Sequence, residues 1–223
     1  MGASFGPRQL VLALDHAVSF ARDDFLSGPS NEVALALVDR WPDWPSRVMA
    51  LVGPHGSGKS HLAAIWADAA GARVLSAKLL SETDLPAAFA TGALVVEDIA
   101  PDGLDERALF HLLNLAREEQ AYVLLTARSA PAGFHVGIRD LASRLRAVPA
   151  VVLAPPDDTL LRSLIVKVAS DRQLEVDEAL VNYVVTRIER SFEAAHAAVA
   201  RLDEEAMRQH RPVTRALASE LFR

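Results

Sequence analysis

The chain of 223 residues contains no cysteine. That absence excludes a disulfide framework, thiol catalysis and any zinc site built on thiolates. No apolar run reaches the length a membrane-spanning helix requires. The opening residues Met1-Gly2-Ala3-Ser4-Phe5-Gly6-Pro7 carry no secretory h-region, and glycine at the sixth position breaks the myristoylation pattern. The 7 histidines show no H-E-x-x-H or comparable ligand spacing, which argues against a histidine-held metal. No G-x-S-x-G occurs, so a Ser-His-Asp hydrolase has no nucleophile elbow to stand on. Positive charge is also short, with 23 Lys and Arg against 29 Asp and Glu and a net charge of −6. A basic face of the kind that grips duplex DNA through phosphates is not visible, and strong direct DNA binding is disfavoured. Internal repeats and low-complexity tracts are missing as well. What remains is the profile of a cytoplasmic protein with no membrane role. Its 51% hydrophobic content is enough for one α/β domain and a small helical appendage.

Against these absences stands one complete motif. Gly53-Pro54-His55-Gly56-Ser57-Gly58-Lys59-Ser60 is a G-x-x-x-x-G-K-[ST] phosphate loop. Val48-Met49-Ala50-Leu51-Val52 precedes it as an apolar strand, and His61-Leu62-Ala63-Ala64-Ile65-Trp66-Ala67-Asp68 follows it as a helix with an apolar face. The loop glycines let successive backbone N–H groups turn toward phosphate oxygens. The helix N-terminus adds its dipole, Lys59 brings a cation to the outer phosphates, and the Ser60 hydroxyl joins the shell of a magnesium ion. His55 and His61 bracket the loop. The ligand expected is ATP or ADP with Mg2+, both nucleotides fitting the same loop.

Element types alternate regularly through the first two thirds of the chain. Strands are expected over Arg47–Val52, Arg73–Ala77, Ala93–Ile99, Ala121–Ala127 and Ala150–Ala154. Helices fit between them over Lys59–Ala70, Ser81–Ala90, Asp105–Glu119 and about Ile138–Leu145. Continuous apolar strands separated by helices imply a parallel five-stranded sheet covered on both faces. At Pro155-Pro156 the pattern breaks, and Asp157-Asp158 offers a helix cap. Beyond it the periodicity is helical throughout, over roughly Asp158–Arg172, Asp177–Arg187, Ser191–Gln209 and Thr214–Leu221. Three parts are therefore expected: residues 1–24 as an N-terminal peptide and linker, 25–154 as the α/β domain, and 155–223 as a small all-α domain. Gln9-Leu10-Val11-Leu12-Ala13-Leu14 alternates apolar positions over a short span. It suits either addition to another protein's groove or packing against its own domain.

A nucleotide site with magnesium needs carboxylates on a strand beside the loop. Ala93-Leu94-Val95-Val96-Glu97-Asp98 has that form, a Walker B element in which Glu97 holds the metal through water and its neighbour polarises the attacking water. The order is inverted relative to most P-loop ATPases of this type, with glutamate first and Asp98 second, so intrinsic hydrolysis is expected to be weak or absent. Thr126 ends the next strand, where a hydroxyl would sense the outer phosphate or serve only as a strand end.

These pieces together resemble the DnaA-type AAA+ family. Phe25-Leu26-Ser27-Gly28-Pro29-Ser30-Asn31 is similar to the F-x-x-G-x-S-N segment that precedes its Walker A element. Asp140-Leu141-Ala142-Ser143-Arg144-Leu145 resembles its box VII, which implies that Arg144 is an arginine finger presented to a neighbour's nucleotide. Arg190-Ser191-Phe192-Glu193-Ala194-Ala195 resembles its sensor II segment, which implies that Arg190 touches bound nucleotide from a lid domain. The fold implied is a P-loop AAA+ core with an all-α lid. DnaA itself carries a helix-turn-helix DNA-binding domain after the lid, whereas this chain ends at Arg223. Gln9, Leu10, Leu12 and Leu14 are similar to the Q-L-x-L-x-L motif that docks on the sliding clamp of DNA polymerase III. Both features resemble the Hda branch of the family, paralogues that drive regulatory inactivation of the replication initiator. The partners implied are DnaA and the clamp, which would bring the protein to the replisome. The AAA+ interface would serve either self-association as a homodimer or DnaA alone. The competing expectations are an autonomous AAA+ ATPase acting as a helicase loader or remodeller, and a clamp-binding adaptor with a vestigial P-loop.

Overall fold

The computed structural model describes residues 20–222, so Gln9, Leu10, Leu12 and Leu14 lie outside the described residues. Five strands form one parallel sheet: β1 (Val48–Val52), β2 (Arg73–Ser76), β3 (Ala93–Ile99), β4 (Tyr122–Ala127) and β5 (Ala150–Val152). Their order is β2-β3-β4-β1-β5, so the strand leading into the phosphate loop lies between β4 and β5. The helices α1 (Glu32–Asp39), α2 (Lys59–Ala70), α3 (Leu85–Ala88), α4 (Glu106–Glu118) and α5 (Arg139–Ala147) belong to this layer.

Strand alternation explains why both faces are covered. Ala50 and Val52 point with Leu94, Val96, Val123 and Leu125 into a core completed by Leu109, Leu112, Leu141 and Leu145 of α4 and α5. Met49 and Leu51 point the other way with Val95 and Leu124, against Leu35 and Val38 of α1 and Leu62 and Trp66 of α2. After Pro155-Pro156 come α6 (Asp158–Asp171), α7 (Glu178–Val185), α8 (Phe192–Gln209) and α9 (Arg215–Leu221). They enclose a third core of their own, including Leu161, Ile165, Val184, Val199 and Leu217. Each of the four starts on a side-chain cap: Asp157, Asp177, Ser191 and Thr214 accept backbone N–H groups of Leu160, Leu180, Ala194 and Leu217. No helix among the described residues is long and apolar enough to cross a membrane.

The expected α/β sheet and all-α lid are both present, and three details differ. The span 81–90 is not one helix. A 3-10 turn covers Ala77–Glu82, the chain extends at Thr83, and a new short helix starts at Leu85 on an Asp84 cap with proline in its first turn. Helix α1 was not anticipated, because Val33-Ala34-Leu35-Ala36-Leu37-Val38 is an apolar run that periodicity alone does not assign. The stretch taken as linker up to residue 24 also enters the folded body at its end. A 3-10 turn at Arg22–Asp24 pairs Arg22 with Asp39 at 2.9 Å and Asp24 with Lys167 at 2.6 Å.

Helix α2 carries the phosphate loop at its start and is anchored by Trp66, which is fully buried. Trp44 stacks on it at 4.9 Å between ring centroids, and Trp41 meets it edge-on at 6.4 Å. Replacing Trp66 with alanine opens a large hole under the loop helix, and we expect it to remove about 3–5 kcal/mol of stability. Urea unfolding of the two proteins, followed by circular dichroism at the helix band, measures it.

Candidate nucleotide site

The loop 53–60 wraps between the C-terminal end of β1 and the start of α2, as a phosphate cradle must. Its first glycine is held by the Gly53 N–H donating to the Ala127 carbonyl at 3.1 Å, which fastens the loop to the end of β4. There is no room for a side chain: a Cβ on Gly53 would stand 2.5 Å from the Leu153 carbonyl oxygen. Gly56 is constrained twice, by a φ of +67° and by Ser191, whose Cβ lies 2.6 Å from where an added methyl would sit. Lys59 is buried, and its ammonium donates to the carbonyls of Gly53 and Pro54 at 2.9 and 2.7 Å. Burial pushes its pKa down, while the carboxylates of Asp98 and Glu97 pull it up and the guanidinium of Arg128 pushes it further down.

The Walker B strand ends in an irregularity that the sequence does not announce. Val96 pairs with Leu125 and Ile99 with Ala127, so Glu97 and Asp98 together oppose the single residue Thr126. This is a β-bulge, and it re-aims the two acids. Asp98 takes a left-handed conformation with φ of 59°, is exposed, and lines the cavity beside the loop. Glu97 is half-buried, and its Oε1 atom is buried with no hydrogen-bond partner. Ser57 Oγ is likewise buried and unpartnered inside the loop. Thr126, almost fully buried, accepts the Asp98 N–H on its hydroxyl at 2.9 Å. Its oxygen therefore holds the bulge.

The cavity, of about 330 Å³, opens between the loop and the lid. His55, Gly56, Ser57, Gly58, Lys59, Ser60 and His61 line it from the core. Its far wall is aromatic and apolar, with Phe20, Phe25, Phe192 and Leu164. His61 meets the rings of Phe20 and Phe25 edge-on at 5.3 and 5.1 Å, and its Nε2 lies 3.0 Å from the Ala21 carbonyl. The lid is seated directly on the loop. The Phe192 N–H donates to the Gly56 carbonyl at 2.8 Å, and Glu193 lies 2.9 Å from His55.

Two arginines lie elsewhere. Arg190 precedes the lid helix rather than opening it, and its guanidinium pairs with Asp158 at 3.0 Å within the lid; it does not line the cavity. Arg144 is half-buried on α5, donates to the Leu113 carbonyl at 3.2 Å and lies over the Phe110 ring at 5.1 Å. It borders a cleft with Arg47, Val48, Ala121 and Val148, at the N-terminal ends of β1, β4 and β5. Sequence reasoning missed Phe20, Asp24, Lys167 and His196 on the cavity wall, which no motif marks.

The donors present fit the group the motif implies. The cradle excludes a side chain at Gly53, and Ser57 in the loop and Glu97 at the strand end each keep a buried oxygen without a partner. A magnesium ion would be held by Ser60 with Glu97 or Asp98.

Comparison with known proteins agrees with this geometry. Residues 157–220 match the family model described as the lid domain of Hda. The whole fold matches domain III of the replication initiation protein DnaA from Thermotoga maritima, with a TM-score of 0.71 at 18% identity over 89% of this chain and 93% of that one. The lid thus carries the sequence pattern of an Hda lid, on a fold shared with domain III of DnaA. The AMPPCP-bound DnaA from Aquifex aeolicus superposes at a TM-score of 0.67, with 16% identity over 86% of this chain and 69% of that one. The Holliday junction branch migration motor RuvB of Thermotoga maritima superposes at 0.68, with 18% identity over 91% and 70%. At such identities the likeness concerns the fold. The lid is the part whose sequence matches, and it supplies one wall of the cavity through Leu164, Lys167, Phe192 and His196.

Two outcomes follow from the site's chemistry. Thr126→Val keeps the side-chain shape but leaves the Asp98 N–H without its acceptor, which should cost about 1–3 kcal/mol. Thr126→Ser should retain most of the stability, and guanidinium unfolding of the pair separates the two effects.

The second outcome concerns pH. Burial lowers the pKa of both His61 and His196. Lys167 lowers both as well, and Arg172 and His61 add to the effect on His196. Asp24 opposes the shift at His61, as Asp171 does at His196. A depressed histidine is neutral in the folded chain while the unfolded chain takes up a proton. Stability is thus full above the ordinary histidine value of about 6.5 and is lost as pH falls below it. Melting temperatures of the ligand-free protein should drop between about pH 7.5 and 5.5, and His61→Gln with His196→Gln should flatten that slope.

Proposed function

We propose that this protein is a negative regulator of bacterial replication initiation, which docks on the DNA-loaded sliding clamp and stimulates hydrolysis of DnaA-bound ATP. The observation that carries this reading is the place of Arg144. It sits at the N-terminal ends of the strands, whereas the phosphate loop lies at their C-terminal ends. Strand β1 alone spans about 16 Å over its 5 residues. Arg144 is therefore out of reach of its own nucleotide and available to another molecule's.

Each part then has a chemical task. The chain's own pocket holds ADP or ATP with Mg2+ on Gly53–Ser60, Asp98 and Glu97. The named AMPPCP complex of DnaA from Aquifex aeolicus, a protein of the same fold, supports a nucleotide here. Bound nucleotide fills the seam between loop and lid and fixes the lid against the core. Gln9 meets the clamp groove through polar contacts, and Leu12 and Leu14 enter it as apolar anchors. Tethering to clamp restricts the activity to replicating DNA and requires no basic surface. Arg144, aligned by Phe110 and the Leu113 carbonyl, enters the composite site with DnaA and stabilises charge developing on the transferring phosphoryl group. Fingers of this kind contribute on the order of 10³–10⁵ in rate. The inverted Glu97-Asp98 order fits a chain whose own hydrolysis is weak, because the ATP consumed belongs to the partner.

The test is turnover of DnaA-bound ATP with this protein added, with and without clamp loaded on DNA. Acceleration is expected only with loaded clamp. Arg144→Ala should abolish it, a loss on the order of 10³-fold or more, while clamp binding is kept. Gln9→Ala with Leu12→Ala should lose clamp binding instead. Unchanged DnaA turnover with Arg144→Ala overturns the finger assignment. Vigorous ATPase activity of the protein alone, without stimulation of DnaA, would favour an autonomous AAA+ loader.

A further inference from the structure

We propose that Arg47, Arg117 and Arg144 form a second anion site, separate from the phosphate loop, which takes a short chain of phosphates. The three line one cleft of about 250 Å³ at the N-terminal ends of the strands. Its floor is apolar, with Val48, Leu113, Ala116 and Val148, and no carboxylate lines it. Glu118 and Glu119 follow Arg117 in the chain but do not line the cleft. None of the three guanidiniums takes part in an ion pair among the described residues. In a chain of net charge −6, this gathers unneutralised positive charge against the trend of the whole molecule.

Two of the three are also aimed. The Arg47 guanidinium donates to the Gln120 carbonyl and lies over the Tyr122 ring at 4.8 Å. Arg144 is held in the same manner, by the Leu113 carbonyl and the Phe110 ring. Arg117 has no such contact and stands exposed in the last turn of α4. Neutralising the C-terminal ends of α4 and α5 accounts for only part of this charge. Each end counts for about half an elementary negative charge, so three guanidiniums leave a surplus of about two. The cleft is smaller than the ~300–1,000 Å³ of drug-sized sites. Its occupant is therefore small, with several negative charges close together. A guanidinium offers two parallel N–H donors that match phosphate oxygens, and a di- or triphosphate concentrates such oxygens. The chain of phosphates has two sources, a free ligand or the nucleotide of a partner that Arg144 reaches. The second source rests on the proposed function; the site itself does not.

Isothermal titration of the full-length chain with sodium tripolyphosphate tests the site. Lys59→Ala serves as the background, so that the phosphate loop is disabled. Arg47→Ala, Arg117→Ala and Arg47→Lys are each added to it. Binding should weaken as salt rises. Either alanine should weaken it about three- to tenfold, and Arg47→Lys should recover part of that loss. Adenosine, which has no phosphate, should not bind there. Ligand-free melting should change little with Arg117→Ala, an exposed substitution without a hydrogen bond or ion pair to lose. That separates loss of a ligand contact from loss of structure. The second arm is turnover of DnaA-bound ATP on loaded clamp, with Arg47→Ala or Arg117→Ala in otherwise wild-type protein. Tripolyphosphate binding that depends on the two arginines assigns a free ligand. Absent or arginine-independent tripolyphosphate binding, with DnaA turnover cut about three- to tenfold, assigns the partner's nucleotide. If neither measurement moves with Arg47 or Arg117, the site is overturned. If the wild-type chain fails to stimulate DnaA at all, the proposed function falls, and the titration alone decides for or against the anion site.

Discussion

The close seat of the lid on the phosphate loop is the constraint on which the rest of this molecule depends. The lid and the sheet have separate apolar cores, and Leu26 packs against the lid's. Near the site the polar contacts that join them are few: the Phe192 N–H on the Gly56 carbonyl, His55 beside Glu193, and Lys167 on Asp24. The last two are partly or largely exposed pairs, of a kind that contributes at most about a kilocalorie. The backbone bond requires Gly56, because Ser191 occupies the space a side chain would need. A ligand in the seam that touches both halves adds contacts where the protein has few of its own. Its occupancy is therefore coupled to the lid's position through differential binding alone.

The same economy is visible in the Walker B segment. A regular strand would send Glu97 and Asp98 to opposite faces of the sheet. The bulge opposite Thr126 breaks that alternation, bringing Asp98 out toward the loop while Glu97 keeps an unpartnered oxygen inside. The left-handed backbone at Asp98 costs on the order of 1 kcal/mol, a conformation aspartate tolerates better than most residues. One hydroxyl, on Thr126, offsets it by accepting the displaced N–H. The inverted acid order thus has a local structural counterpart, since the two acids differ in burial and direction as well as in length.

Much of the fold was legible because its signals are local. Continuous apolar runs placed both ends of all five strands within two residues, and aspartate, serine and threonine caps stand at the starts of all four lid helices. The loop was legible because its chemistry demands glycine at fixed spacing. What stayed hidden depends on who pairs with whom. The bulge needs the β3–β4 register, which no single strand contains. Phe20, Lys167 and His196 reach the cavity only after residues far apart in sequence are brought together. Helix α1 and the broken segment at 77–88 were ambiguous for the opposite reason, a short apolar run in one case and a proline-containing turn in the other.

The sheet gives the molecule two chemically different ends. At the C-terminal ends of the strands stand the loop and the carboxylates, an arrangement of opposite charges that suits a ligand carrying phosphates and a cation. At the N-terminal ends stands Arg144, held on one donor to the Leu113 carbonyl and over the Phe110 ring. Guanidinium carries five N–H donors, so the hydrogen bond that orients Arg144 leaves others for further acceptors. An arginine anchored in this way loses less freedom when it engages than a mobile surface arginine would. The end with the phosphate loop and the end with Arg144 belong to one α/β layer, in which α5 packs on the sheet core through Leu141 and Leu145. If Arg144 is the proposed finger, a rearrangement of lid against loop alters how a partner meets it by changing the surface around it, not by moving the arginine within its own domain.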